Sequence, residues 1–165
     1  MSRKPPGKPR SEKPSAYNKA LGLLTRREQS ERELKAKLAR GGYSGEESSE
    51  AIDALKKQKY QSDSRFAEML ARSRAANGYG PRRIAAELKS QGVDDSAARS
   101  AIDGLECDWT DLGRQQLQRH YGSKPAADLK ERGKRAAFLL RRGFDASTVS
   151  ALTRAEIGDP GDEFD

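Results

Sequence analysis

Cysteine and histidine are almost missing from this 165-residue chain: Cys107 and His120 are the only ones. A lone cysteine closes no internal disulfide. One of each also falls short of the three or four nitrogen and sulfur ligands that a zinc site takes from one chain. Long hydrophobic runs are missing too. The longest, Ala136-Ala137-Phe138-Leu139-Leu140, is far below the ~20 residues that span a bilayer, so no membrane segment is expected. The basic N-terminus has Pro5, Pro6, Pro9 and Pro14 where a signal peptide needs an apolar stretch, which predicts a protein that stays in the cytoplasm. Aromatics make up 6% and β-branched residues are sparse, which removes the side chains that favour strands. Ala, Leu, Arg, Lys, Glu and Gln lose little entropy in a helix and dominate instead, so the chain reads as all-α. With 35% charged and 34% hydrophobic residues, one large core is disfavoured, and several small helical cores in series, a solenoid of short units, fit better.

Charge divides the chain into a middle and two tails. Residues 1–14 carry Arg3, Lys4, Lys8, Arg10 and Lys13 against Glu12, net +4, with four prolines and no apolar period. They predict a disordered basic tail. Residues 156–165 carry Glu156, Asp159, Asp162, Glu163 and Asp165 with no Lys or Arg, net −5. The whole chain is +7, so the part between the tails is +8 and basic in its own right.

One pattern occurs three times in that middle. Leu38-Ala39-Arg40-Gly41-Gly42-Tyr43-Ser44 aligns with Leu88-Lys89-Ser90-Gln91-Gly92-Val93-Asp94 and with Leu139-Leu140-Arg141-Arg142-Gly143-Phe144-Asp145. Each copy reads as helix end, turn and helix start. The aligned Gly42, Gly92 and Gly143 can adopt the left-handed conformation that ends a helix, Tyr43, Val93 and Phe144 are apolar, and Ser44, Asp94 and Asp145 can cap the next helix. Ser44 with Glu47, and Ser30 with Glu33, have capping-box spacing. Before each turn lies a helix marked by Leu34 and Leu38, by Ile84 and Leu88 behind Gly80-Pro81, and by Leu139. A further helix precedes it, marked by Tyr17, Ala20, Leu21 and Leu24, then by Phe66, Ala67 and Leu70, and less clearly by Leu117 and Tyr121. After the turn, Ala51-Ile52-Asp53-Ala54-Leu55 recurs as Ala101-Ile102-Asp103-Gly104-Leu105, while the third copy keeps only Val149 and Leu152.

These spacings predict three tandem three-helix repeats in an elongated, curved solenoid-like array. The expected divisions are a basic tail over 1–14, repeats over 15–63, 64–109 and 110–156, and an acidic tail over 157–165. Gly104, falling inside a third helix, is expected to weaken it by ~1 kcal/mol relative to Ala. The second helices, residues 30–40, 81–91 and 131–142, carry +2, +2 and +4; the third, 44–55, 94–106 and 145–156, carry −4, −3 and −1. If the units stack alike, one edge is a basic ridge and another is acidic. The acidic charge near helix starts also suits their dipoles. The candidate binding residues on the basic edge are Arg82, Arg83, Lys134, Arg135, Arg141 and Arg142.

Catalytic constellations are lacking. His120 and Cys107 are isolated in a polar helical chain, there is no phosphate-binding Gly-x-x-x-x-Gly-Lys loop, and acidic pairs such as Asp94-Asp95 and Glu46-Glu47 stand at helix starts where capping explains them. No enzyme and no cofactor are expected. Trp109 and Tyr60, each following a third helix, are expected to plug the junctions between units. The alternative for such aromatics is stacking on a single strand, which Lys56, Lys57 and Lys59 would favour at Tyr60.

The run Leu38 to Asp63, the elements Asp63-x-x-Phe66-Ala67 and Gly78-x-Gly80-x-x-x-Ile84 with Leu88 and Gly92, and Phe138-Leu139 with Arg142-Gly143-Phe144 resemble the RecX family of recombination regulators. The resemblance spans about residues 15–155. It implies a cytoplasmic monomer of three three-helix units that binds the RecA filament on single-stranded DNA, lies in its helical groove, and suppresses ATP hydrolysis, strand exchange and filament growth. It implies no catalytic residues. The basic proline-rich tail departs from the family pattern, and the third unit diverges most. The rival reading is a nonspecific DNA-binding helical protein or a helix-turn-helix-like regulator, since the net charge attracts phosphates. Against specific readout, the helix after each turn is acidic, and the major groove would repel it. Weak, nonspecific binding of single-stranded DNA remains compatible with either reading.

Overall fold

The structure, a computed structural model, describes residues 12–156. Most of the basic tail and all of residues 157–165 lie outside them. Nine α-helices and no strand occur among the described residues: α1 Ala16–Arg26, α2 Glu31–Arg40, α3 Gly45–Lys57, α4 Asp63–Ala76, α5 Pro81–Ser90, α6 Asp95–Asp103, α7 Trp109–Tyr121, α8 Leu129–Arg142 and α9 Ala146–Glu156. None is long and apolar enough to cross a membrane.

Short polar side chains start these helices. Ser15, Ser30, Ser44, Ser62, Asp94, Asp108 and Asp128 each accept a backbone amide three residues on, satisfying a donor that the first turn leaves unpaired. At Ser30 the reciprocal half of the capping box is diverted, because the Glu33 carboxylate pairs with Arg27 and Lys37. The glycines of the repeated motif end the second helices as expected: Gly42, Gly92 and Gly143 have φ of +83°, +78° and +93°, and the next residue's amide returns to Leu38, Leu88 or Leu139. Gly104 departs from expectation. α6 stops at Asp103 and Gly104 is its C-terminal cap, so no helix interior is weakened there.

The helices pack in threes, α1–α3, α4–α6 and α7–α9, each around its own core. Leu34, Leu38, Ile52 and Leu55 fill the first, Phe66, Ile84, Leu88 and Val93 the second, and Leu117, Leu139, Phe144 and Val149 the third. Full burial of one such side chain contributes about 1.5–3 kcal/mol, which three short helices need, since each is marginal alone. α4 and α7 begin one residue ahead of the divisions at 64 and 110. Trp109 packs on both the second and third cores and plugs that junction. Tyr60 does not plug the first junction: its side of the loop faces solvent, at 54% exposure.

Polar contacts fill the first junction instead. Gln61 Nε2 donates to the Gln29 carbonyl at 3.2 Å, the Asp63 carboxylate accepts the Glu31 amide at 2.9 Å, and Arg65 Nε donates to Glu28 at 2.8 Å. At both junctions the start of one second helix meets the end of the next unit's second helix. Ser30 Oγ donates to Gln91 Oε1 at 3.2 Å, and the Arg32 side chain lies over Gly92. Gly80 and Arg82 donate their amides to the carbonyls of Arg142 and Gly143 at 2.8 and 2.9 Å. The second helices α2, α5 and α8 therefore join end to end through the array. At the outer end of α2, Lys13 takes the place of a preceding unit: its ammonium stands 4.0 Å from the Tyr43 ring centroid, beside Gly42, and Tyr43 Oη donates to the Pro14 carbonyl at 2.6 Å.

Candidate functional site

The junction of α5 and α8 gathers the arginines singled out above. Gly80 gives α5 no side-chain cap, and Pro81 occupies its first turn. The unpaired amides of that turn are satisfied by carbonyls at the end of α8, which lack partners within their own helix. The positive end of one helix dipole thus meets the negative end of another. The approach is close: a methyl group on Gly80 would stand 2.5 Å from the Gly143 carbonyl, and one on Gly143 would collide with Arg83. Two short motifs that begin 61 residues apart, Gly80-Pro81-Arg82-Arg83 and Arg141-Arg142-Gly143, are the two halves of one contact.

Tyr79 is the platform between them. Arg83 lies over its ring at 4.2 Å and Arg142 at 4.6 Å, both within cation-π range. Arg142 also donates to the carbonyls of Asn77 at 2.8 Å and Gly78 at 3.2 Å and reaches over Phe138. It is half-buried and locks the seam, while Arg82, Arg83 and Arg141 are exposed. Beside them, an open groove of about 610 Å³ is lined by Arg74, Asn77, Tyr79, Arg83, Ala86 and Glu87. In it Arg74 grips Glu87 through Nε and Nη2 at 2.8 and 2.6 Å. That hydrogen-bonded guanidinium, with Arg83 adding its charge, holds the Glu87 carboxyl below the ordinary glutamate range against the opposing effect of burial.

Lys134 is exposed on α8, seven residues before Arg141 and so about 10 Å along the axis. Arg135 is a correction to the expected basic edge: it is 2% exposed and belongs to the interior. Its guanidinium donates to the Lys124 carbonyl at 3.0 Å and to Glu131 at 2.8 Å, and it lies over the Tyr121 ring at 4.9 Å. On the helix, position 135 turns toward α7 while 134 and 141 turn outward, a distinction that a pair such as Lys134-Arg135 does not display in sequence. Sequence reading also passed over Tyr79, which Gly78 and Gly80 isolate as a turn residue. The signal was an aromatic set between two glycines and directly ahead of Pro-Arg-Arg.

The motif residues Leu38, Leu88, Leu139, Val93 and Phe144 are buried, and Tyr43 is half-buried. His120 stacks on Phe138 at 4.5 Å and meets Tyr121 edge-on at 4.7 Å. Burial, then Asp108 and Asp111, push the Cys107 thiol up, away from the thiolate a nucleophile requires. No cluster of three or more His, Cys, Asp or Glu suited to a metal occurs among the described residues.

Three family domains match in order: RecX first three-helix domain over 16–55, second over 62–102 and third over 106–152. The chain is 41% identical over 141 residues to Regulatory protein RecX of Xanthomonas axonopodis pv. citri (strain 306), covering 86% of this chain and 87% of that one. It is 41% identical over 152 residues to Regulatory protein RecX of Stenotrophomonas maltophilia (strain K279a), covering 92% of each. The crystal structure of RecX from Lactobacillus salivarius superposes with a TM-score of 0.71 at 24% identity, over 86% of this chain and 94% of that one, so the three-unit fold is shared. With each unit matched in sequence order and the relatives covered nearly end to end, the chain belongs to the RecX family of regulatory proteins.

Proposed function

We propose that this protein binds the RecA nucleoprotein filament on single-stranded DNA, lies in its groove as a cytoplasmic monomer, and suppresses ATP hydrolysis, strand exchange and filament extension. The observation that carries the reading is the seam itself. Arg83 and Arg142 lie over Tyr79, and Arg82 and Arg141 stand exposed at the same helix junction, contributed by two units whose relative position is fixed by backbone hydrogen bonds and by Arg142. A frame fixed at the backbone keeps the spacing of its arginines, which favours a periodic, anionic partner. A three-unit array contacts several filament subunits at once, so modest individual contacts combine into firm attachment. Binding the assembled, resting filament more tightly than its growing or hydrolysing states shifts the population toward the former.

A weaker, nonspecific hold on single-stranded DNA accompanies this, favoured by one observation. Tyr60 is exposed beside Lys57 and Lys59, and its loop is fixed by Arg65, which donates to the carbonyls of Lys59 and Tyr60 at 2.8 and 3.0 Å. Retention on immobilised RecA-coated single strands, compared with bare strands at the same salt, tests the proposal. Tighter retention on coated strands supports it; equal retention reduces the protein to a binder of nucleic acid.

A further inference from the structure

The outer face of α8 leaves two kinds of group unsatisfied. Leu129 is 75% and Leu140 48% exposed. At 3.6 residues per turn Leu129, Gly133, Ala137 and Leu140 fall on one face, and a side chain at Gly133 would meet nothing within 4 Å. Lys130, Lys134 and Arg141 form a parallel row along the same side, all exposed. The only carboxylate of α8, Glu131, is hydrogen-bonded by Arg135 and the Ala127 amide, and Lys134 adds only its charge to it. Among the described residues no ion pair engages Lys130, Lys134 or Arg141. The corresponding helix of the first unit behaves differently, since Lys35 and Lys37 of α2 pair with Glu31 and Glu33 at 3.1 Å. Among the described residues the cations of α8 thus have no salt-bridge partner and the leucines no cover along one continuous strip.

We propose that this strip is a protein-docking surface for an acidic amphipathic helix, one that sets apolar side chains over Leu129, Gly133, Ala137 and Leu140 and carboxylates against Lys130, Lys134 and Arg141. The small residues between the leucines let a partner helix approach closely, and the leucines are the apolar anchors of a helix-in-groove contact. Phosphates would use the cations but not the leucines. A membrane surface would need wider apolar insertion than two leucines, and no aromatic side chain joins them on this face. The inference deepens the reading above, assigning the strip to a protein element of the filament rather than to its DNA.

The probe is a fluorescent 18-residue helical peptide with leucines spaced three and four apart and glutamates flanking them, titrated with full-length protein. Leu129→Ser with Leu140→Ser, and separately Lys130→Glu with Lys134→Glu, are each expected to weaken binding about tenfold. Both pairs alter exposed side chains, so thermal midpoints should stay near that of the unmodified protein. A scrambled peptide of the same composition binding equally well, leucine variants binding the helical peptide unchanged, or association with anionic vesicles without peptide binding would each overturn the proposal. The leucine variants in RecA ATP hydrolysis separate it from the broader reading. Inhibition by the unmodified protein that the leucine changes leave intact rejects the strip as the filament contact. Peptide binding without any inhibition of RecA rejects the broader reading and leaves the docking surface standing.

Discussion

The amide of Gly80 donates to the carbonyl of Arg142 at 2.8 Å, joining the first turn of one unit's second helix to the last turn of the next. Adding a single methyl separates them. Gly80→Ala is expected to destabilise the protein by about 2 kcal/mol through overpacking against Gly143 and Phe144, and Gly143→Ala by at least as much, since its φ of +93° adds backbone strain. Gly133→Ala, in the open middle of α8, should instead stabilise by about 0.5–1 kcal/mol. Denaturant midpoints of the three variants check this.

Arg135 and Arg141, six residues apart on one helix, should respond in opposite ways. Arg135→Ala removes a buried guanidinium and its bonds to Lys124 and Glu131, for an expected loss of about 2 kcal/mol. Arg141→Ala, on the exposed face, should change stability by less than about 0.5 kcal/mol. Urea unfolding of the pair is the measurement.

Charge reversal at the seam distinguishes frame from contact. Arg82→Glu with Arg141→Glu should reduce inhibition of RecA several-fold with little change in melting temperature, because neither side chain is used within the fold as Arg142 is. Arg142→Glu should lower both, since it frees the Asn77 and Gly78 carbonyls and places an anion on Tyr79. Calorimetry alongside ATP hydrolysis at moderate salt checks both, and undiminished inhibition by the first variant would remove Arg82 and Arg141 from the binding face.

Acid should loosen the second unit through Glu87. Its folded-state pKa is held below the ordinary value by Arg74. Its contribution is therefore complete above the unfolded-state pKa and is lost as pH falls through the folded one. Both partners are about a third exposed, so the pair is worth less than about 1 kcal/mol. Glu87→Gln should lower stability slightly at neutral pH and flatten the acid limb of a stability curve measured from pH 7 to pH 3.

The three units were legible in the sequence because their signals are local. Gly42, Gly92 and Gly143 each need a left-handed turn, Ser44 and Asp94 each cap the helix that follows, and the leucines keep helical spacing. What the sequence concealed depends on distant partners. Arg135 and Lys134 are neighbours of like charge, and only the α7 surface decides which is buried. Tyr60 and Trp109 hold similar places after third helices, yet polar Gln29, Gln61 and Asp63 fill the first junction and leave Tyr60 outside. The basic edge was expected from the charge of the second helices and their dense basic pairs; its sharpest feature, Arg83 and Arg142 meeting on Tyr79, required the helix ends to be placed against each other.

The most direct test is RecA's single-strand-dependent ATP hydrolysis with this protein added well below one copy per RecA subunit, repeated with excess bare single strand as competitor. Binding along the filament predicts strong inhibition at that ratio, little changed by the competitor. Inhibition only near equal or excess ratios, relieved by added strand, would contradict the account and leave a basic protein that merely occupies DNA.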